Sequence, residues 1–251
     1  MLASAYIITA MAVFPLASLT AAQPIAIRIE GAVNEPGMHA PANGRLAEAL
    51  VAAKPSKDAY QLGISYLRAS VVTQQVRLRA GLQHGTEQLA RDDSAAVRAA
   101  ANSLGEWLQS HDPTGRVPLN GSARLIQARP QDNPEIETGD VAIIPRQPAT
   151  INVVGAVKAP CALLHSAQRD ARQYLRDCPK TQAADPEQIY VIQPDGKVQP
   201  LGIALWNSSD PQAVAPGGTI YVPVRESALK SIDRQFNADF AAFIATQPIV
   251  P

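Results

Sequence analysis

The chain has 251 residues and 46% hydrophobic side chains, so it can form one large domain or two small ones with packed cores. Its 22 basic and 22 acidic side chains balance, so no general positive field is available to hold the phosphates of a nucleic acid. These features exclude nucleic acid as an expected partner, and the apolar content excludes wholesale disorder.

The N-terminal segment, residues 1–22, is apolar and has no charged side chain. Pro15 interrupts it, and Thr20 and Ala22 suit the −3 and −1 positions of a signal-peptidase site. The segment therefore predicts a signal peptide and export to the periplasm, with an uncleaved membrane anchor as the alternative. Nothing else in the sequence approaches the roughly 20 apolar residues that a membrane-spanning helix needs.

The chain contains two cysteines, Cys161 and Cys178. In an oxidising compartment such a pair can form a disulfide, and two free thiols are the alternative. A lone pair of cysteines makes a poor metal site, and the chain has no Gly-rich phosphate loop. We therefore expect no metal and no cofactor.

An internal repeat organises the chain. Residues 27–36 (IRIEGAVNEP) and 151–160 (INVVGAVKAP) match at an offset of 124. Each predicts a strand, then a glycine, then a turn closed by proline. The glycines, Gly31 and Gly155, indicate a bulge or a close approach of backbone. A helical pattern follows each copy, so each copy predicts a helix packed across a small mixed sheet.

The closing strands of the two copies match at an offset of only 78, with ETGDVAIIP at 137–145 and APGGTIYVP at 215–223. The first copy therefore contains 46 additional residues. The segment at about 57–111 lacks proline and has apolar residues at helical spacing. It predicts a helical hairpin inserted in the first copy.

A final amphipathic helix is predicted over roughly 227–246. Its apolar stripe includes Ile232, Phe236, Phe240 and Phe243. Such a helix can pack on its own domain, dock on a partner or lie on a membrane surface. Because its polar face is not rich in Lys and Arg, the membrane surface is the weakest of the three alternatives.

Several further motifs occur in a fixed order along the chain: TGRVPL at 114–119, YLRDC at 174–178, IYVIQPDGKV at 189–198, ALWN at 204–207 and APGGTIYVP at 215–223. With the repeat, the insert and the last helix, this order resembles the GfcC-type capsule and exopolysaccharide biosynthesis family. The resemblance covers most of residues 25–245. It implies modules like the soluble-ligand-binding β-grasp (SLBB-like) modules of polysaccharide export proteins.

The resemblance implies an α+β fold with two tandem β-grasp domains, a helical hairpin inserted in the first and a C-terminal amphipathic helix. The boundaries that follow are a signal peptide at 1–22, a first domain at 23–147, a second at 148–225, and a helix and tail at 226–251. It also implies a periplasmic accessory role in capsule or exopolysaccharide assembly or export. The expected partners are a polysaccharide, proteins of the export machinery, or both.

Three residues are candidates for ligand binding. Arg116 follows the predicted hairpin, and its guanidinium offers five donors in a fixed fork that suits carboxylates, phosphates or vicinal sugar hydroxyls. The alternatives for Arg116 are a local Asp partner or the carbonyls of a helix end. Trp107 and Trp206 are candidate stacking surfaces for a sugar ring, although Trp206 also fits a core position.

No catalytic motif stands out in the sequence, so we expect a binding protein rather than an enzyme. A polysaccharide-tailoring hydrolase is the first alternative and would need two facing carboxylates about 5–9 Å apart. Glu135, Glu137 and Asp140 cluster near a turn, but nothing in the sequence provides a facing partner. A purely structural assembly protein is the second alternative.

Overall fold

A computed structural model describes residues 25–119, 123–230 and 232–249. The predicted signal peptide at 1–22 therefore lies outside the described residues. The described part of the chain is mixed α+β and contains two five-stranded sheets. No helix within those ranges combines the length and apolar character needed to cross a bilayer.

The first sheet has five strands: β1 Ile27–Gly31, β2 Gly37–His39, β3 Ser65–Leu67, β4 Arg116–Val117 and β5 Val141–Ile144. Their order in the sheet is β2-β1-β5-β3-β4. Strand β1 runs antiparallel to β2 and parallel to β5, and β3 pairs antiparallel with both β5 and β4.

The second sheet has five strands: β6 Thr150–Gly155, β7 Cys161–Leu164, β8 Gln188–Ile192, β9 Val198–Gly202 and β10 Thr219–Val222. Their order, β7-β6-β10-β8-β9, repeats the topology of the first sheet. Strand β6 is parallel to β10, as β1 is to β5, and antiparallel to β7, as β1 is to β2. The sequence repeat therefore corresponds to a repeat of the fold.

The repeated glycines are required where the parallel strands meet. Gly31 and Gly155 have φ angles of +95° and +104°, which L side chains rarely adopt. A Cβ on Gly31 would lie 2.2 Å from the Ile144 carbonyl oxygen, and one on Gly155 would lie 2.1 Å from that of Val222. Both the backbone conformation and the available space therefore require glycine. This is the close approach of backbone that the sequence predicts as one of two alternatives at these positions.

Six α-helices lie in the described residues, and their lengths differ from the sequence predictions in two places. The hairpin begins at residue 69, because residues 65–67, which were expected within it, pair with β5 as β3. The helices are α1 Leu46–Ala52, α2 Ala69–Leu89, α3 Ala95–Gln109, α4 Ala123–Ala128, α5 Ala171–Tyr174 and α6 Phe236–Ala245.

The last helix is shorter than the predicted 227–246. A 3₁₀ turn at Glu226–Leu229 comes first, and α6 then begins at Phe236. Asp233 separates the two, since its side chain accepts a hydrogen bond from the Gln235 amide at 2.8 Å and its carbonyl accepts one from the Phe236 amide at 3.0 Å. This local turn competes with a continuous helix.

The hairpin α2–α3 is inserted in the first module but packs in the core of the second. Its buried side chains, such as Leu82 and Leu104, belong to one cluster with strands β6, β8 and β10 and with helix α6. A separate, smaller core lies between the first sheet, α1 and α4. The second sheet thus has α5 on one face and the hairpin with α6 on the other.

The proposed partner-docking stripe is covered by the chain itself. Phe236, Phe240 and Phe243 are buried, and Phe240 stacks on Tyr221 of β10 with a centroid distance of 5.1 Å. Ile232 is partly buried against the same cluster. Of the three alternatives for this helix, packing on its own domain describes the structure, because the second sheet and α2 cover the stripe.

Candidate functional site

A cleft of about 800 Å³ lies where the hairpin, the second sheet and the C-terminal tail meet. Trp107 at the end of α3 and Arg116 of β4 line it from the first module. Asn152 of β6 and Gln193, just after β8, line it from the second. The tail that follows α6, residues 247–249, forms a further wall.

Trp107 is half-buried in the wall of this cleft and is held by aromatic neighbours. Its ring stacks on His111 with centroids 3.9 Å apart and an interplanar angle of 12°. Phe243 meets it edge-on at 6.1 Å, and Phe240 lies at 5.5 Å. The indole is therefore held rigidly beside the polar groups of the cleft, with one face covered by the His111 ring.

Arg116 is 3% exposed, and its guanidinium binds backbone carbonyls. Its Nη1 donates to the carbonyls of Gln247 at 2.7 Å and Ala245 at 3.3 Å, and its Nη2 donates to that of Pro194. Of the alternatives drawn from the sequence, helix-end carbonyls describe these contacts best, because Ala245 is the last residue of α6. Arg116 therefore joins β4, the β8–β9 turn and the end of α6.

Arg116 nevertheless keeps its positive charge although it is buried in the cleft wall. Burial lowers the pKa of its guanidinium to about 10, which leaves it a cation at neutral pH. Its Nε–H is buried and has no hydrogen-bond partner among the described residues. Among the described residues, the positive charge is met by carbonyl dipoles and by the nearby Asp195, whose carboxylate raises the pKa of Arg116.

The sequence reasoning missed the residues whose hydrogen bonds hold the segment around Arg116 in place. Gln75, buried in the middle of α2, donates to the Arg116 carbonyl at 2.9 Å and accepts from the Gly115 amide at 2.7 Å. Thr114 donates to the Thr246 carbonyl at 2.7 Å. A glutamine at this point of a helical pattern gives no signal of its own, because its two partners are 40 and 41 residues away.

Trp206 lies outside the cleft. It is 74% exposed and follows a fully exposed Leu205 in the turn after β9. Asn207 holds this turn, since its side chain accepts from the Ala204 amide at 3.0 Å and donates to the Glu187 carbonyl at 3.1 Å. The structure therefore does not bring Trp206 together with Trp107 and Arg116, and the alternative core position for Trp206 is wrong.

Cys161 and Cys178 are joined by a disulfide. Cys161 begins β7 and lines the cleft, and Cys178 is buried just beyond α5. The bridge therefore ties the edge strand of the second sheet, which borders the cleft, to the segment after its helix.

The acidic residues considered for catalysis are paired with arginines. Asp140 is buried and accepts hydrogen bonds from Tyr66 and Arg68, and burial with the Asp140 charge raises the pKa of Tyr66. Glu137 pairs with Arg68 at 3.0 Å, as Glu135 does with Arg45. These three acidic residues are absent from the cleft lining.

The cleft itself contributes one carboxylate from the described residues, that of Asp112, which pairs with Arg79 at 3.2 Å. Two facing carboxylates, as a hydrolase would require, are therefore not present in its described lining. The described residues also contain no group of three or more His, Cys, Asp or Glu side chains that could hold a metal ion.

Comparison with known proteins supports the family resemblance. Residues 160–248 match the family model described as capsule biosynthesis GfcC C-terminal. The chain is also 26% identical over 185 residues to the protein named "Uncharacterized protein YjbG" of Escherichia coli (strain K12), covering 71% of this chain and 75% of that protein. The resemblance to a GfcC-type capsule biosynthesis family is thereby confirmed.

Proposed function

We propose that this chain, as a protein of the GfcC-type capsule biosynthesis family, is a non-enzymatic accessory protein that binds a saccharide in the Trp107 cleft during capsule or exopolysaccharide assembly or export. The observation that carries the proposal is the cleft itself. It combines a rigid half-buried indole, the Arg116 cation and the exposed residue Asn152 in one concavity.

The topology supports two tandem β-grasp domains as the scaffold. Each five-stranded sheet has its first and last strands parallel at the centre, and each module has a helix after its first hairpin. A shared fold does not define a function, so binding is inferred from the residues of the cleft.

The described lining of the cleft supports binding rather than catalysis. Its one carboxylate is paired with Arg79, and a hydrolase would need a second one opposite. A surface that combines an indole, an amide side chain and a cation can hold a polar ring without a reactive group. A polysaccharide-tailoring enzyme remains the alternative that the experiment below also tests.

Periplasmic location is part of the proposal. The apolar segment 1–22 favours export, and the Cys161–Cys178 disulfide favours an oxidising compartment. Proteins of the polysaccharide export machinery are the partners that such a location would offer.

The test combines glycan binding with complementation of a gene deletion. Asn152→Arg would place a long side chain in the cleft, since Asn152 is exposed on its wall. We expect this variant to lose binding of the strain's own surface polysaccharide in titration calorimetry, and to leave surface polysaccharide low in the deletion strain. Asn102→Arg, on the exposed side of α3, is the matched control and should behave as wild type.

Two results would overturn the proposal. Full complementation and binding by Asn152→Arg would remove the cleft from the function. New reducing ends after incubation of the polysaccharide with the purified wild type would instead favour the enzyme.

A further inference from the structure

Strand β7 is an outer strand of the second sheet, and its outer edge is open. Just after it, the His165 amide donates to the Ala149 carbonyl at 2.8 Å. Hydrogen bonds in an antiparallel pair involve every second residue, so this contact and the register define which residues of β7 bond to β6. The N–H and C=O groups of Ala162 and Leu164 point the other way, and they form no hydrogen bond with a described residue outside the sheet.

The side chains along this edge are apolar and exposed. Ala162 lines the cleft, and Leu164, on the same face two residues later, is 75% exposed. Residues 159–168 contain no Asp, Glu, Lys or Arg. Proteins usually protect an edge strand with charge, with proline or with a covering segment, because free N–H and C=O groups pair readily with another strand. The described structure provides none of these protections along the length of β7.

The opposite edge of the same sheet, formed by β9, is protected. The same alternation directs Pro200 and Gly202 outward, since the Ile203 amide donates to the Glu187 carbonyl at 2.8 Å. Pro200 has no N–H to offer. The Gly202 amide donates to Ser209 Oγ at 2.9 Å, and its carbonyl accepts from the Ser209 amide at 3.1 Å. The contrast identifies β7 as the edge of this sheet that is open to a further strand.

We infer that β7 pairs antiparallel with β7 of a second copy of this chain, across a two-fold axis at Leu163. In this register Ala162 lies opposite the partner's Leu164, and each such pair exchanges two backbone hydrogen bonds. The small side chain faces the large one, so the two do not compete for the same space. The inference goes beyond the proposed saccharide binding and does not depend on it.

The absence of charge favours a second copy as the occupant of this edge. A two-fold interface brings each side chain close to the same side chain of the partner, so a charged strand would repel its own copy. Residues 159–168, which lack Asp, Glu, Lys and Arg, meet no such repulsion. The two copies of the second sheet would join into one, with the clefts opening on the same side and the β6 strands about 14 Å apart.

The paired surface is small, so the dimer should be weak. One strand pair with two leucines buries less than the roughly 1,200–2,000 Å² of a stable interface, and we therefore expect reversible association in the micromolar range. Sedimentation equilibrium of the purified full-length chain at increasing concentration should show the mass rising from one chain to two.

Substitutions on the edge test the surface and the register. Leu164→Arg should weaken dimerisation about tenfold, because two like charges replace two leucines in the dimer. Ala162→Pro removes an outward N–H from each copy and should also weaken it. Adding Ala162→Glu to Leu164→Arg should restore the dimer, since each Glu then faces the partner's Arg. Leu205→Arg, at an exposed leucine in the turn after β9, is the matched control and should dimerise as wild type.

Three results would overturn the inference. A wild-type chain that stays monomeric up to millimolar concentration forms no such dimer. Dimerisation that survives both Leu164→Arg and Ala162→Pro uses another surface. A double variant that stays as weak as Leu164→Arg, with an unchanged circular dichroism spectrum, excludes this register. The proposed saccharide binding is measured separately by calorimetry, so each of the two ideas can fail while the other stands.

Discussion

The Arg116 side chain shapes the cleft through its hydrogen bonds to backbone carbonyls, although it is almost fully buried in the cleft wall. Three backbone carbonyls, those of Pro194, Ala245 and Gln247, accept its hydrogen bonds. These carbonyls belong to a turn of the second module and to the end and tail of α6, so a residue of the first module holds two walls of the cleft together. Its Nε–H is buried and has no hydrogen-bond partner among the described residues.

Replacement of Arg116 by methionine should therefore destabilise the whole protein. Buried carbonyls that lose a partner cost about 1–3 kcal/mol each when no water replaces it, so we expect the free energy of unfolding to fall by about 2–4 kcal/mol. Arg116→Lys should recover only part of this, because an ammonium group lacks the planar fork. Urea denaturation followed by circular dichroism measures the change.

The control for Arg116 is Arg77→Met, which removes an exposed arginine of α2. Its effect should stay within about 0.5 kcal/mol. An equally small effect of Arg116→Met would show that the carbonyl contacts contribute little to stability.

At the scale of elements, the hairpin α2–α3 and α6 form a helical layer over the second sheet. The helices approach closely at Gly85 of α2, where an added Cβ would lie 2.7 Å from Cδ2 of Phe236. A glycine inside a helix usually costs stability, so its presence here reflects the lack of space beneath α6. Gly81, one turn earlier, has open space around it.

These two glycines give a matched pair of substitutions. Gly85→Ala should lower the free energy of unfolding by about 1–3 kcal/mol, because the added methyl group forces Phe236 out of its position. Gly81→Ala should raise it by about 0.5–1 kcal/mol through helix propensity alone. Thermal or urea unfolding measures both, and a stabilising Gly85→Ala would argue that α6 does not pack on α2 as described.

At the scale of the whole molecule, the two modules are interlocked rather than strung together. The first module supplies the hairpin that completes the core of the second. Tyr60 of the first also donates to the Pro216 carbonyl of the second at 2.9 Å, and the Leu119 amide donates to the Asp195 carbonyl at 3.3 Å. Partial unfolding of either module would break these contacts.

We therefore expect the modules to unfold in one cooperative transition. Leu104→Ala, in the hairpin and nearly inaccessible to solvent, should remove about 2–5 kcal/mol of stability. Hydrogen exchange with mass spectrometry in rising urea should show peptides of β1 and β8 losing protection at the same, lowered urea concentration. Val76→Ala, half-exposed on α2, is the control and should shift neither.

Protection of β1 that persists after β8 has opened would contradict this coupling. It would mean that the smaller core around α1 is stable without the interlocking contacts.

The sequence by itself determined what depends on local pattern and on repetition. Gly31 and Gly155 recur because two parallel strand pairs leave no room for a Cβ, and such a constraint repeats wherever the topology repeats. Local pattern and repetition also predicted the succession of strands and helix along each copy, the helical insert and the family resemblance. The start of the insert was misplaced, because β3 is a three-residue strand defined by its pairing with β5 rather than by its own pattern.

The tertiary structure alone decided which face each element covers. Periodicity shows that a helix has an apolar stripe but does not show where that stripe packs. The spacing of apolar residues therefore could not predict that the hairpin packs on the second sheet, or that Phe236, Phe240 and Phe243 do. The cleft depends on contacts between residues more than 70 positions apart, such as Arg116 with Pro194 and with Gln247. Trp107 and Trp206 looked alike in sequence, and only packing placed one beside His111 and the other in solvent.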